Sequence, residues 1–257
     1  MLTSQETLIL ETITVASHNN PNKPEFPYTD PKFPATPTYQ ITVPGFSNVR
    51  LKDESHNPTG THKDRMAWEI VVTYKDFLMA KKLWLREGPL PKMSIITSGS
   101  AGYAIQTALK QFGLPNLKVL IDISLDTSIE KHLRDAGCEV YQTDLSKKIL
   151  SPREILKSTN NEDGIDITCG WALDSSRFYD WLAYEVINSS PQRCFVPFGT
   201  GNLYENMVAI NQKELAYHSG GNDPRFKGES EILRRCNFLG ATTNNPKSGL
   251  MEENVWL

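Results

Sequence analysis

Long apolar runs are missing from this chain of 257 residues, and with them any segment able to cross a bilayer as a helix, which takes about 20 consecutive apolar residues. The opening MLTSQETLILETITVASHNN has no basic stretch ahead of an apolar one, so no secretory leader is read there. A soluble, cytoplasmic protein is expected. Positive charge is also in short supply: the net charge of -3 leaves no basic stripe to neutralise a phosphate backbone, which sets nucleic-acid binding aside. Cysteine is scarce. Cys138, Cys169, Cys194 and Cys236 stand far apart, with no C-x-x-C pair and no histidine at ligand spacing. That excludes a zinc site of the usual kind and points to reduced thiols in or near a core; no metal is expected. Repeats, heptads and low-complexity tracts are likewise missing.

What is present is an ordinary globular composition, 39% hydrophobic and 22% charged, long enough for one large domain or two smaller ones. The stretch NNPNKPEFPYTDPKFPATPTYQ is rich in Pro, Asn and Thr, so residues 1–45 read as an extended arm with little regular structure. After the short strand VRLKDE, the turn Asn57-Pro58-Thr59-Gly60 breaks the chain. From Lys63, apolar residues recur at helical spacing through Met66, Ile70, Tyr74, Phe77 and Leu78, so Lys63 sits at a helix start.

The middle alternates. MSIIT is a strand, SGSAG a tight turn, YAIQTALKQFG a helix ending at Gly113, LKVLIDIS a strand, SIEKHLRDAG a helix ending at Gly137 and CEVYQT a strand. This βαβαβ order implies a parallel sheet with right-handed crossovers. The pattern resumes with the helix RFYDWLAYEVINS, the strand RCFVPF and a helix opened by GTGN. The fold class is therefore α/β with two lobes built on parallel twisted sheets. Residues 46–86 and 146–257 are assigned to a larger lobe and residues 87–145 to a smaller one.

Three loops could carry chemistry. A lysine on a turn before a helix, as in LKDESHNPTGTHKDR, presents its amine at a fixed place, where it can condense with an aldehyde. The alternative is a solvated lysine, although positive charge is unfavourable at a helix N-terminus. In TSGSAG, Thr97 to Gly102, small residues and successive backbone N–H groups at a helix start suit an anion such as a carboxylate. A plain strand-to-helix turn is the alternative there. In VPFGTGNLYEN, Gly199 and Gly201 after a strand and Asn202 at a helix start form a phosphate cradle. Tyrosine at position 204 breaks the dinucleotide fingerprint, and no Gly-Lys-Ser/Thr follows to make a P-loop.

Taken together, these stretches resemble pyridoxal-phosphate-dependent enzymes of fold type II, the tryptophan synthase β-like family. KDESHNPTGTHKDR is most similar to the threonine synthase form of the lysine motif, His62 before the lysine resembles the tryptophan synthase β chain, and ATPTY resembles the upstream Thr-Pro-Leu element, with Thr38 in place of leucine. The likeness runs from Thr36 to Gly240 in the family's own order of lysine turn, carboxylate loop and phosphate loop. It implies that Lys63 is the Schiff-base lysine and the catalytic base. It further implies that Thr97, Ser98, Gly99, Ser100, Ala101 and Gly102 hold the substrate carboxylate. Gly199, Thr200, Gly201, Asn202 and Leu203 would then bind the cofactor's phosphate, with Ser100 beside its ring.

The implied reaction is a β- or γ-elimination or replacement on an amino acid, as in threonine synthase or serine/threonine dehydratase, with pyridoxal 5'-phosphate as cofactor and a homodimer as the usual assembly. Ser100 departs from the family's asparagine at that place. The pattern also continues in relatives past NFLGATTNNPKSG, where this chain ends at Leu257, so the chain reads as C-terminally short. Two other readings stand beside the leading one. One is a fold type II pseudoenzyme acting as a binding module. The other is a serine hydrolase with Ser100 as nucleophile, in which SGSAG serves as the elbow and Asp166 or Asp174 pairs with His218.

Overall fold

Lys63 opens the helix on which the fold turns. The computed structural model describes residues 1–18, 35–168, 178–189, 191–199, 201–220 and 236–241, the side chains of 17, 18, 188 and 213–220 excepted. Helix α2, Lys63–Lys82, buries Met66, Ile70, Tyr74 and Leu78, one residue per turn on one stripe. Each such side chain contributes about 1.5–3 kcal/mol of burial. Upstream, Gly60 takes φ 79°, a turn that a Cβ would strain. Asp64 Oδ2 accepts from the Thr59 backbone N–H at 2.9 Å and from the Thr59 hydroxyl at 2.8 Å, so the turn is tied to the helix it precedes. Lys81 and Lys82 sit favourably in the last turn.

The first helix corrects the expected arm over 1–45. Residues Ser4–His18 form α1, and Thr38–Val43 (β1) pairs antiparallel with Phe46–Lys52 (β2) around Gly45 at φ 81°. The prolines of that region begin only at Pro21, so the first turns carry none of them, and Ile9, Leu10 and Ile13 bury helix-spaced apolar groups in the core. Lys81 Nζ bonds Glu6 at 2.7 Å and fixes α1 against the end of α2.

The central alternation is as expected. Met93–Ile96 (β3), Ser100–Gln111 (α3), Lys118–Asp122 (β4), Thr127–Ala136 (α4) and Glu139–Thr143 (β5) follow in order, and Gly137 ends α4 at φ 108°. Pro152–Ser158 (α5) and Ile165–Asp166 (β6) then add a further strand, giving one parallel sheet ordered β5-β4-β3-β6. This four-stranded sheet thus draws on residues beyond 87–145, taking a strand from the stretch assigned to the larger lobe. A two-residue strand shows no periodicity, which hides it in sequence. Backbone bonds from Ile165 N–H to the Lys92 carbonyl at 3.1 Å and from Ile167 N–H to the Ser94 carbonyl at 2.8 Å hold it on β3, and the segment before it is tied to Ser94 Oγ, which lies 2.7 Å from Thr159 Oγ1 and accepts from Asn161 Nδ2 at 2.8 Å.

A second parallel pair joins Arg193–Pro197 (β7) to Asn237–Ala241 (β8), flanked by Asp180–Asn188 (α6) and Asn202–Gly220 (α7). One apolar core runs from Ile9 on α1, through Leu109 on α3 and Val119 on β4, to Val196 on β7 and Phe238 on β8. Among the described residues no helix is long and apolar enough to cross a membrane, and no group of His, Cys, Asp and Glu could hold a metal ion.

Candidate active site

The C-terminal ends of β3, β4 and β7 and the start of α2 border one cavity of about 720 Å³. Crevices outside the carboxyl ends of parallel strands are the general ligand position in open α/β sheets, because the helices that follow point their N-termini there. Lys63 lines this cavity with Ser98 and Ser100 from one glycine turn and Gly199, Gly201 and Asn202 from the other. Three loops separated by long stretches of sequence therefore meet around one amine.

Lys63 is half-buried, and its Nζ donates to the Tyr179 hydroxyl at 3.1 Å. Its backbone N–H donates to Thr61 Oγ1 at 3.1 Å, which anchors the first residue of α2. His62 also lines the cavity, where burial first and the neighbouring Lys63 charge second push its imidazole down to about 4. It is a neutral ring at physiological pH.

In the loop after β3, Thr97, Ser98, Ser100 and Ala101 line the main cavity, while Gly99 lines a neighbouring one of about 470 Å³ and Gly102 is packed inside α3. Thr97 Oγ1 accepts from the Gly99 N–H at 3.1 Å and the Gly102 N–H at 3.4 Å, leaving the amides of Ser100 and Ala101, in the first turn of α3, for an anion. Gly99 has φ 134°, and a Cβ there would lie 2.9 Å from Ile129 Cγ2. A Cβ on Gly102 would meet Leu133 and Thr97 at 3.0 Å, so helix α4 presses the loop into shape.

In the loop after β7, Gly199, Gly201, Asn202 and Leu203 all line the cavity, and Thr200 lies outside the described residues. Gly201 takes φ 87°, and a Cβ on Gly199 would meet nothing within 4 Å. Asn202, buried at the first position of α7, donates from Nδ2 to the Thr168 carbonyl at 3.4 Å. The hydrolase arrangement finds no support. Asp166 Oδ1 is committed to Thr168, accepting from its backbone N–H at 3.0 Å and its hydroxyl at 2.6 Å, while Asp174 and the His218 side chain lie outside the described residues.

Sequence reasoning missed Tyr179 and Met66 beside the lysine and Thr168 under the phosphate loop. A tyrosine just before a helix and a methionine on its buried face carry no local signal. Missed as well was the buried network behind the lysine turn. Arg65, 2% exposed, bonds Glu54 through Nε at 2.7 Å and Glu185 through Nη1 at 2.7 Å, and Lys52 bonds Glu185 at 2.6 Å. Burial opposes the charge on Glu54, but Arg65, Thr36 and Asn57 together hold its carboxyl below the usual range.

A family model described as pyridoxal-phosphate dependent enzyme matches residues 33–216. No curated protein matches the sequence. Among solved structures, the chain is similar to diaminopropionate ammonia lyase from Escherichia coli in its apo form, with 14% identity and a TM-score of 0.57 over 96% of this chain and 65% of that one. It is similar to a pyridoxal 5'-phosphate-dependent aspartate racemase, with 16% identity and a TM-score of 0.55 over 91% of this chain and 62% of that one. It is also similar to O-ureido-L-serine synthase, with 17% identity and a TM-score of 0.54 over 83% of this chain and 60% of that one. The chain thus spans less than two thirds of the length of these structures, and at such identities the likeness is one of fold.

The residues present fit the cofactor this family uses. A primary amine reaches the cavity, a glycine-lined helix N-terminus offers backbone donors to a phosphate, and about 720 Å³ admits a substituted pyridine with an amino acid beside it.

Proposed function

Because the chain belongs to the family of pyridoxal-phosphate-dependent enzymes, we propose that it holds this cofactor through Lys63 and performs β- or γ-elimination or replacement on an amino acid, in the manner of a threonine synthase or a serine/threonine dehydratase. One observation carries the reading: Lys63 lines the same cavity as both glycine turns. When bound, pyridoxal phosphate draws electrons away from the α-carbon of an attached amino acid. The chain's own residues do the rest. The first turn of α7, with Gly199, Gly201 and Asn202, binds the phosphate through backbone N–H groups and the helix dipole. Ser100 and Ala101 at the start of α3 hold the α-carboxylate. Lys63 Nζ stands in the same cavity, placed to take the α-proton as the leaving group departs.

The wall beyond the carboxylate loop bears on the substrate. Asp122 and Asp126 lie there, each kept ionised below the usual carboxylate range by a serine, Ser124 and Ser128 respectively. Lys148, the nearby cation, is paired with Glu154. Two carboxylates repel a phosphate on the substrate side chain and Lys148, already paired, offers it little attraction, so serine and threonine suit this wall better than phosphohomoserine.

The test is reconstitution of purified protein with pyridoxal phosphate, followed by borohydride. A yellow protein that carries the cofactor on the Lys63 peptide, and a Lys63→Ala variant that carries none, are the expected results. Fixation at another lysine in the wild type would overturn the assignment. Product release is then compared for serine, threonine, O-acetylserine and phosphohomoserine. A second reading, a cofactor-binding pseudoenzyme, draws on Ser100, which is exposed in the cavity where the family carries asparagine. It predicts the yellow adduct without product from any of the panel.

A further inference from the structure

Behind Lys63 stands a side chain to which the motifs assign nothing. Tyr179 is 1% exposed, and its hydroxyl accepts the Lys63 hydrogen bond across 116 residues of sequence. The same hydroxyl donates to Met66 Sδ at 3.5 Å. With its proton turned to the sulfur, the phenol oxygen offers its lone pairs to the amine, so the bond has a defined direction from nitrogen to oxygen. The neutral His62 ring packs against the tyrosine, its centroid 5.5 Å away at 46°.

The tyrosine is itself fixed from the phosphate side. Its backbone N–H donates to Asn206 Oδ1 at 3.0 Å, and Asn206, 1% exposed, sits one turn into α7 from Asn202. A buried tyrosine needs a polar partner, and the sulfur alone is a weak one. A lysine stem left to itself would spread over many rotamers. The contact solves both needs at once.

We infer that Tyr179 is a positioning residue for Lys63, parking the amine toward the cavity whenever it is not attached to the cofactor, with Asn206 locking the tyrosine to α7, the helix proposed to cradle the phosphate. The inference rests on the proposed role of Lys63, and its test is chosen to stand apart from that role.

In the cofactor-free protein, acetic anhydride labelling of Lys63 is followed by peptide mass spectrometry, with Lys118, held by the carbonyls of Thr159 and Asn160, as internal reference. Tyr179→Phe keeps the ring and removes the oxygen. Lys63 labelling is expected to rise about fivefold while Lys118 is unchanged, the size of one net hydrogen bond of about 1 kcal/mol. In Tyr179→Ala, p-cresol is expected to return labelling to the wild-type rate, while toluene, which fills the same space without a hydroxyl, leaves it high.

Equal Lys63 labelling in wild type and Tyr179→Phe would overturn the inference. So would a parallel rise at Lys63 and Lys118, which would mark general loosening. A wild-type protein that takes no cofactor would remove the proposed function, yet the labelling comparison would still decide the role of Tyr179.

Discussion

At the scale of single residues, His62 carries the clearest pH signature. Its folded value of about 4 lies below the ordinary 6.5 because burial, then Lys63, disfavours the cation. The unfolded chain binds the proton more readily, so the stability tied to the neutral ring is complete above about pH 6.5 and is lost as pH falls toward 4. A His62→Gln variant has no such proton to take up. Its denaturation midpoint is expected to fall less than that of the wild type over this window, by a difference on the order of 2 kcal/mol at the acid end. Superimposable acid limbs would contradict the burial argument. Gly99 makes a second residue-scale case. Gly99→Ala places a Cβ against Ile129 at a φ of 134°. It should cost about 1–3 kcal/mol in urea unfolding, and trimming Ile129 to alanine should recover only the steric part.

Among elements, the join between α2, β2 and α6 matters most, because it fixes where the lysine-bearing helix begins. Arg65 clamps Glu54, just after β2, to Glu185 on α6, and Lys52 of β2 reinforces Glu185 and also donates to the Thr36 carbonyl at 2.6 Å. Taking away the guanidinium leaves Glu54 without a cation, and Glu185 with Lys52 alone, in a buried place. Arg65→Ala is expected to destabilise by about 3–5 kcal/mol in chemical denaturation. Arg65→Lys keeps the charge but not the planar fork, so it should recover one carboxylate pair at most. A fully stable Arg65→Lys would show that charge alone holds the join.

At the scale of the whole molecule, both anion cradles and the amine come from separate parts of the chain, so a ligand that bridges them binds only the folded state. Pyridoxal phosphate at a hundredfold excess over its Kd is expected to add about 2.7 kcal/mol. For a chain of this size that raises the melting midpoint by roughly 5–10 °C. Inorganic phosphate, which fills one cradle alone, should give a smaller rise, and Lys63→Ala should reduce the gain from the full cofactor. Equal shifts for phosphate and cofactor would mean that the bridge is not made.

Much of this was legible in the linear chain, and for local reasons. Turn glycines, the alternation of strands and helices and the glycine ends of α3 and α4 depend on neighbours within a few residues, which sequence displays directly. The two glycine turns that line the cavity were legible for the same reason, since a tight turn needs only small residues ahead of a helix. Helix α1 was obscured because the prolines that follow it dominated the composition of the whole opening stretch. Strand β6 was too short to show a period.

The order of the lysine turn and the glycine turns after β3 and β7 was determined by sequence alone, since each is a local backbone device that its own few residues dictate. The partner of Lys63, the clamp on Arg65 and the fourth strand of the parallel sheet β5-β4-β3-β6 were decided only by tertiary structure. Tyr179 lies 116 positions from Lys63 and Glu185 lies 120 from Arg65. Such pairings exist only once burial of a shared core has drawn distant helices together, and no local preference of either residue encodes them.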